Sequence, residues 1–306
     1  MTDRRSNLII KLDGLGDWII FEFFLKQIHG EIQNGDLLID SGSLDYFNAS
    51  ELNRTFATVY SFDFRGNAIH SFFRKRKSRF FIEKWLVKSQ LGALSRKYHS
   101  VIVSVWNRSL EEFIKNYILS NLDFDELFIP SKFGLNTASN TLFRGELERM
   151  FLETVFLKDL RPIEYKSKRS IPKKIFIFAT SFKANKRWPA QRYIELAKWL
   201  LNCGLKVSLW GLVNTRSNSS CFIKKGDTIA LIEDLRNSDV YLGNDTGIMH
   251  LAIQLNKRVI VINNGIMPNS FLNYTGEALE VLNGRDGKIE TVTLNDVMTY
   301  FEKNLL

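Results

Sequence analysis

Cysteine is nearly absent: the 306 residues hold two, Cys203 and Cys221. Their spacing fits no metal site and supplies no disulfide framework, so the expected compartment is a reducing one. Long hydrophobic runs are missing too. No stretch reaches the roughly 18 apolar residues that a membrane-spanning helix needs. Internal repeats and low-complexity tracts are not found, which argues against solenoids and disordered arrays. The polar start, Met1-Thr2-Asp3-Arg4-Arg5-Ser6, runs directly into a β-rich segment without an export signal, and the expectation is a cytoplasmic protein. What remains is an ordinary globular composition, 45% hydrophobic and 25% charged, at a length that suits two domains.

Acidic residues are the minority, and the net charge is +9. The excess is local. Residues 65–97 carry ten Lys/Arg against one acid, Glu83, and residues 158–174 carry seven against two, Asp159 and Glu164. The first block mixes bases with aromatics in Phe72-Phe73-Arg74-Lys75-Arg76-Lys77-Ser78-Arg79-Phe80-Phe81-Ile82. A solvated helix face, a nucleic-acid surface and a patch for anionic lipid all fit such a block. No nucleic-acid motif accompanies it, so the functional reading is docking of Arg74, Lys75, Arg76 and Lys77 on an anionic membrane or acceptor, without nucleic acid.

Hydrophobic periodicity divides the chain into alternating strands and helices. Strands are expected at 7–12, 37–40, 59–62, 100–105 and 127–129, with helices between them, including a basic helical region over about 66–97. Residues 131–157 read as helical. The basic stretch 158–174, with Pro162 and Pro172, is the linker candidate. The alternation restarts with strands at 174–179, 207–210, 239–242 and 259–262, helices at 189–201 and 228–236, and a terminal helix at 294–304. This pattern implies two α/β domains with parallel sheets, 1–157 and 175–306, and a ligand site at the carboxyl ends of the strands. The terminal helix could also pack back on the N-terminal domain.

Three short stretches carry candidate chemistry. Gly243-Asn244-Asp245-Thr246-Gly247-Ile248-Met249-His250 lies between a buried strand and an apolar helix. Asp245 or Thr246 can cap that helix, and its first-turn N–H groups and dipole favour an anion. His250 follows Thr246 by one turn, and helical side chains lean toward the N-terminus, so its imidazole would face the same anion. A capped helix with a core histidine is the plainer alternative. Thr180-Ser181-Phe182-Lys183-Ala184-Asn185-Lys186-Arg187-Trp188-Pro189 sets hydroxyls and cations between a strand end and a helix start, which are phosphate-binding parts, though exposed loops are often polar without function. Gly14-Leu15-Gly16-Asp17 opens the first helix but is not a dinucleotide fingerprint, because Ile19 stands at the third glycine. Asp17 would also repel a pyrophosphate there. It reads either as an acid at the mouth of a cleft or as a helix-start carboxylate favoured by the dipole.

Together these stretches resemble the family 9 glycosyltransferases, which include the lipopolysaccharide heptosyltransferases. The first strand with Gly16-Asp17 is similar to that family's N-terminal strand ending in Gly-Asp. Lys186-Arg187-Trp188-Pro189 is similar to its Lys/Arg-x-Trp-Pro element, and Asp245-Thr246-Gly247-Ile248-Met249-His250 to its Asp-Thr-Gly-x-x-His element. The order and spacing agree over nearly the whole chain. The resemblance implies a GT-B fold, two Rossmann-like domains whose parallel sheets face a central cleft, with the acceptor on the first and the sugar nucleotide on the second. It implies an inverting, metal-independent enzyme without a cofactor, an ADP-sugar as favoured donor, and a lipopolysaccharide-core, surface-polysaccharide or lipid-linked acceptor. It places the catalytic base at Asp17 and nucleotide-sugar contacts at Thr180, Ser181, Lys186, Asp245, Thr246, Gly247 and His250. A sugar-nucleotide-binding regulatory or assembly protein without transfer activity is the alternative.

Two stretches depart from the family pattern. After Trp210-Gly211, the segment Leu212-Val213-Asn214-Thr215-Arg216 lacks the Glu that often contacts the nucleoside. Asn263-Asn264-Gly265-Ile266-Met267-Pro268 replaces a Gly-Pro-Thr-Asp-like loop near the donor sugar, so the sugar need not be a heptose.

Overall fold

A computed structural model describes residues 7–48, 50–62, 94, 97–106, 108–135, 144–167, 171–181, 184–212, 227–265, 274–277 and 279–306. Arg74, Lys75, Arg76 and Lys77 lie outside these residues, as do 213–226, 266–273 and, apart from Leu94 and Lys97, the helix expected over 66–97; Lys97 opens a strand instead.

The chain folds as two compact units. The N-terminal unit closes with Gly145–Arg161, and Pro162–Leu306 makes the C-terminal one. The stretch read as a linker is therefore divided between them. Lys158 donates from Nζ to the Gln27 carbonyl at 2.9 Å, and the Arg161 amide donates to Gln27 Oε1 at 2.8 Å. Beyond Pro162, Ile163 and Tyr165 are buried, and Tyr165 is clamped by donating to the Lys257 carbonyl at 3.1 Å and accepting from the Val259 amide at 3.0 Å.

The N-terminal sheet consists of β1 (Asn7–Lys11), β2 (Asp36–Asp40), β3 (Thr58–Phe62), β4 (Lys97–Val103) and β5 (Asp123–Phe128). Its order is β3-β2-β1-β4-β5, with every neighbour parallel. Parallel strands are covered on both faces, so they read as unbroken apolar runs. Leu8, Ile9 and Ile10 are buried as that rule requires. Helix α1 (Leu15–Leu25) follows β1, with Gly14 in the extended conformation as N-cap. It begins a turn earlier than Trp18, the position suggested by the apolar pattern, because Gly14 rather than Asp17 ends the extended backbone. Further helices are α2 (Ser41–Asn48), α3 (Arg108–Phe113) and α4 (Arg144–Phe156).

A short strand, β6 (Glu164–Tyr165), opens the C-terminal unit. Its sheet uses β7 (Lys174–Phe178), β8 (Lys206–Trp210), β9 (Val240–Asn244) and β10 (Arg258–Asn263). Next come β11 (Thr275–Gly276), which pairs with β6, and β12 (Glu280–Asn283). The sheet order is β12-β10-β9-β7-β8, again all parallel. The pattern of apolar residues does not reveal β12: it is a half-buried edge strand of four residues, too short to show alternation. The helices are α5 (Ala190–Asn202), α6 (Thr228–Arg236), α7 (Gly247–Gln254) and α8 (Leu294–Asn304).

The terminal helix α8 belongs to the C-terminal core. Val297 and Phe301 are buried among Tyr193, Leu196 and Leu200 of α5. Its start is fixed by a capping box. The Asp296 amide donates to Thr293 Oγ1 at 3.1 Å, and the Thr293 amide donates to Asp296 Oδ2 at 2.8 Å. Those bonds hold the Asp296 carboxyl below its usual range, and a cap of this kind contributes about 1 kcal/mol.

Candidate active site

In each sheet the strand order reverses once. In the first, β2 and β3 lie on one side of β1, and β4 and β5 on the other. In the second, β8 lies on one side of β7, and β9, β10 and β12 on the other. At such a reversal the connections leave neighbouring strand ends in opposite directions, and ligands bind in the gap at the carboxyl ends. The residues singled out from sequence stand at these two places. Asp17 follows β1, Thr180, Ser181 and Lys186 follow β7, and Asp245, Thr246, Gly247 and His250 follow β9.

In the C-terminal unit the structure brings Lys186 and Asp245 together. Lys186 ends a 3-10 turn at Ala184–Lys186, and its ammonium forms an ion pair with the Asp245 carboxylate. Both side chains are mostly covered, at 13% and 14% exposure, so solvent screens this pair less than a surface one. Arg187 Nε donates to the carbonyl of the buried Ser181 at 2.5 Å, folding the polar loop back on the end of β7. Trp188 is not at the surface. It is buried, donates from Nε1 to the Val292 carbonyl at 2.7 Å and meets Tyr193 edge-on at 4.8 Å between ring centres. The Lys-Arg-Trp-Pro segment thus combines a structural anchor, Trp188, with a cation placed at the strand ends.

The platform under Asp245 is rigid. Asn244 is fully buried, accepts from the Tyr193 hydroxyl at 3.0 Å and donates from Nδ2 to the Ile262 carbonyl at 3.2 Å. Its own carbonyl accepts from the Tyr241 hydroxyl at 3.1 Å. Gly243 is dictated by close approach, since a Cβ there would lie 2.8 Å from the Phe178 carbonyl oxygen and 2.6 Å from the Tyr241 hydroxyl. Thr246 is the N-cap of α7, in extended conformation, but its side chain does not cap. Its hydroxyl turns to Tyr241 at 3.3 Å, so the first-turn N–H groups are not capped by the residue expected to cap them. An anion can take that role.

His250 is partly buried on the same helix, and its Nδ1 is hydrogen-bonded to the hydroxyl of Tyr274. Tyr274 is buried. Burial, and then the charge of nearby Asp245, hold its phenol well above the ordinary value. A protonated phenol is the partner Nδ1 needs when the ring proton sits on Nε2. In that tautomer Nε2 carries an N–H donor. Tyr274 escapes notice in the sequence because it lies 24 residues from His250 in an irregular segment. Only the pairing of β11 with β6 signals that this segment is structured.

The N-terminal unit holds a cluster that short motifs do not reveal. Lys11, the last residue of β1, is fully buried. Its Nζ donates to Glu148 Oε2 at 3.0 Å, Asp13 Oδ2 at 3.3 Å and Ser104 Oγ at 3.3 Å. It also lies 5.0 Å from the centre of the Phe21 ring. Glu148 of α4, itself buried, accepts from the Ser104 hydroxyl and from Trp106 Nε1 at 2.5 Å. Burial pushes the Lys11 ammonium down, but the charges of Glu148, Asp13 and Asp17 outweigh it and raise its proton affinity. Asp17 is half-buried in the first turn of α1, within the field of this cluster. Among the described residues no group of three His, Cys, Asp or Glu is placed to hold a metal ion, and no helix is long and apolar enough to cross a membrane.

Solved structures share this fold. The chain superposes on Escherichia coli heptosyltransferase WaaC, solved with ADP-2-deoxy-2-fluoro heptose, with a TM-score of 0.68 at 14% identity, over 98% of this chain and 99% of that one. A glycosyl transferase family 9 protein from Veillonella parvula matches with a TM-score of 0.64 at 14% identity, over 100% and 98%. The fold is GT-B. The iron-containing dodecameric glycosyltransferase TibC from enterotoxigenic Escherichia coli is more distant, with a TM-score of 0.54 at 12% identity, over 99% of this chain and 77% of TibC. No family model and no curated protein matches the sequence. In the two segments that depart from the family 9 pattern, Leu212, Asn263 and Asn264 are buried and Gly265 has a positive φ, while Val213-Asn214-Thr215-Arg216 and Ile266-Met267-Pro268 lie outside the described residues.

The Lys186–Asp245 pair yields a prediction about anion binding. An ammonium has three N–H donors, so Lys186 can hold Asp245 and an anion together. Lys186→Ala removes a charge-assisted contact worth about 1.5–3 kcal/mol and leaves the Asp245 carboxylate unneutralised beside the anion. Calorimetry with inorganic pyrophosphate should show affinity falling about tenfold or more. Lys186→Ala/Asp245→Asn should recover part of the loss, because the repulsion is gone. Equal affinity in wild type and Lys186→Ala would remove Lys186 from the site.

Proposed function

We propose that this chain is an inverting glycosyltransferase that moves a sugar, heptose or another, from a nucleotide-diphospho-sugar to a saccharide or glycolipid acceptor. An ADP-sugar is the favoured donor, in line with the ligand of WaaC. The observation that carries the reading is the division of charge between the two strand-order reversals. The N-terminal one presents a carboxylate, Asp17. The C-terminal one presents Lys186 and an α7 N-terminus that the Thr246 side chain does not cap.

In the proposed reaction the acceptor hydroxyl oxygen attacks the anomeric carbon of the donor. The bond from that carbon to the diphosphate oxygen breaks, and the diphosphate leaves with the electron pair. Asp17 takes the hydroxyl proton as general base. Lys186, the first-turn N–H groups of α7 and His250 meet the growing charge on the leaving diphosphate. Fixed donors of this kind stabilise a transition state without reorganising. Thr180 and Ser181, at the end of β7, complete the donor site. Asp245 holds Lys186 in place.

Arg74, Lys75, Arg76 and Lys77 serve acceptor or membrane docking in this proposal. Replacing all four with Gln should weaken sedimentation with anionic liposomes and flatten its salt dependence. Unchanged sedimentation would leave the block a solvated face.

Asp17→Asn keeps the shape of the side chain but cannot accept a proton. Turnover should fall by roughly 10²–10⁴-fold, the usual worth of a positioned base. Binding of the nucleoside diphosphate, measured by calorimetry, should stay near wild type, since Asp17 belongs to the other unit. Transfer at the wild-type rate would remove Asp17 from the chemistry.

The cations of the C-terminal unit serve in place of a divalent ion, so EDTA should leave transfer unchanged. The iron in TibC makes this a pointed test. Loss of transfer on chelation, restored by added Mg²⁺, Mn²⁺ or iron, would overturn the metal-free reading.

A further inference from the structure

Between Val240 and Ile253 every residue is buried except Asp245, Thr246, Gly247 and His250. His250 thus lies on the same uncovered face of α7 as Thr246 and Gly247, one turn along. One ring nitrogen is already engaged from the interior, since Nδ1 is bonded to the hydroxyl of the buried Tyr274. The reaction as proposed uses His250 and gives Tyr274 no part.

Tyr274 is delivered by a small brace. The strands β6 and β11 have two residues each, too few for a pair to be stable by itself. Hydrogen bonds tie the pair down. The Glu277 amide donates to the Tyr165 carbonyl at 3.0 Å, and the Ser167 hydroxyl donates to Glu277 Oε2 at 2.6 Å. The Tyr165 hydroxyl is held in turn by the Lys257 carbonyl and the Val259 amide. Lys257 leads back to the helix, because its amide donates to the Ala252 carbonyl of α7 at 3.0 Å. The bonds close a circuit that starts at His250, passes through Tyr274, β11, β6 and Tyr165, and returns to α7. All of it lies within the C-terminal unit. The phenol oxygen is therefore fixed relative to the helix whose histidine it holds, which is what a precisely placed donor requires.

We propose that Tyr274 is a positioning residue of the donor site: its hydroxyl donates to His250 Nδ1, fixes the proton of the neutral ring on Nε2, and so presents an N–H to a diphosphate at the start of α7. Tyr274 acts through His250 and touches no substrate. The direction of the bond follows from the two groups. A phenol is a strong donor, and its oxygen, conjugated with the ring, is a weak acceptor. A bare imidazole nitrogen is a strong acceptor. The bond that Nδ1 makes then decides where the ring proton sits. Burial and the charge of Asp245 keep the phenol protonated. The opposite tautomer would offer the anion a lone pair.

The inference rests on the reading of His250 as a diphosphate contact, and two measurements separate them. The first uses protein labelled with 15N in its histidine rings, without ligand, at a pH where the ring is neutral. The His250 signals are those missing from His250→Ala. Long-range proton–nitrogen correlations should show Nε2 protonated and Nδ1 as a hydrogen-bonded lone pair. In Tyr274→Phe the Nδ1 signal should move toward that of a free lone pair. Wild-type protein with the proton on Nδ1 overturns the proposal without any variant, and so does an Nδ1 signal unmoved in Tyr274→Phe. A role in packing alone would lower the melting temperature and leave the Nδ1 signal in place. The second is calorimetry with inorganic pyrophosphate. Tyr274→Phe should weaken binding about three- to tenfold, the scale of one hydrogen bond. Added to His250→Ala, the same change should cost less than about twofold. Equal losses in both backgrounds would show Tyr274 acting independently of His250 and overturn the proposal. Unchanged affinity in His250→Ala would instead overturn the diphosphate role of His250, and the proposal with it, while the nitrogen signals would still report the bond to Tyr274.

Discussion

Parallel pairing is the constraint on which the two sheets depend. Each pairing within them is parallel, so every connection must carry the chain from one end of its sheet back to the other. Where consecutive connections run to opposite sides, the ends of two adjacent strands part, and neither connection covers the gap. The gap lies between β1 and β4 in one unit and between β7 and β9 in the other. Polar side chains can be placed there without breaking the core. Thr180, Ser181, Asp245 and Thr246 sit at one gap, and Lys11, Asp13, Ser104 and Trp106 at the other.

In the proposed reaction the two gaps meet opposite electrostatic demands. A base must stay ionised yet hold a proton when one arrives, and a leaving diphosphate must meet positive charge. In the N-terminal unit the buried Lys11 ammonium is bonded to the carboxylates of Glu148 and Asp13. In the C-terminal unit Lys186 is paired with Asp245, Arg187 stands beside it, and the helix dipole of α7 adds positive potential. Each arrangement is made rigid from below by buried hydrogen bonds: Glu148 to Ser104 and Trp106 in one, Asn244 to Tyr193 and Ile262 in the other. Buried polar groups are costly unless fully satisfied, which makes such networks stiff once formed. Stiffness matters because a reacting group displaced by 1 Å can lose a factor of about 10² in rate.

Aromatic side chains with one polar atom carry much of this stiffness. Trp188, Tyr193, Tyr165, Tyr241 and Tyr98 are buried, and each places its single polar atom on a named partner. Burial raises the phenols of Tyr193, Tyr241 and Tyr98 above their ordinary value, so they stay protonated donors at neutral pH.

Sequence alone determined the alternation of strand and helix, and with it the fold class, because parallel strands covered on both faces must be continuous apolar runs. It also marked the loops that hold the candidate site residues. Asp17, Lys186 and Asp245 through His250 follow such runs, where polar residues at helix starts stand out. Tertiary structure decided what those residues touch. Lys186 meets Asp245 across 59 residues, His250 meets Tyr274 across 24, and Lys11 meets Glu148 across 137. Those partners carry no local signal. Lys11 reads as the polar end of a strand, Glu148 as one charge on a polar helix, and Tyr274 as part of a loop. Periodicity reports only whether a residue faces a core. Which charges share that core is fixed by the order of strands in the sheet, and that order exists only once the chain has folded.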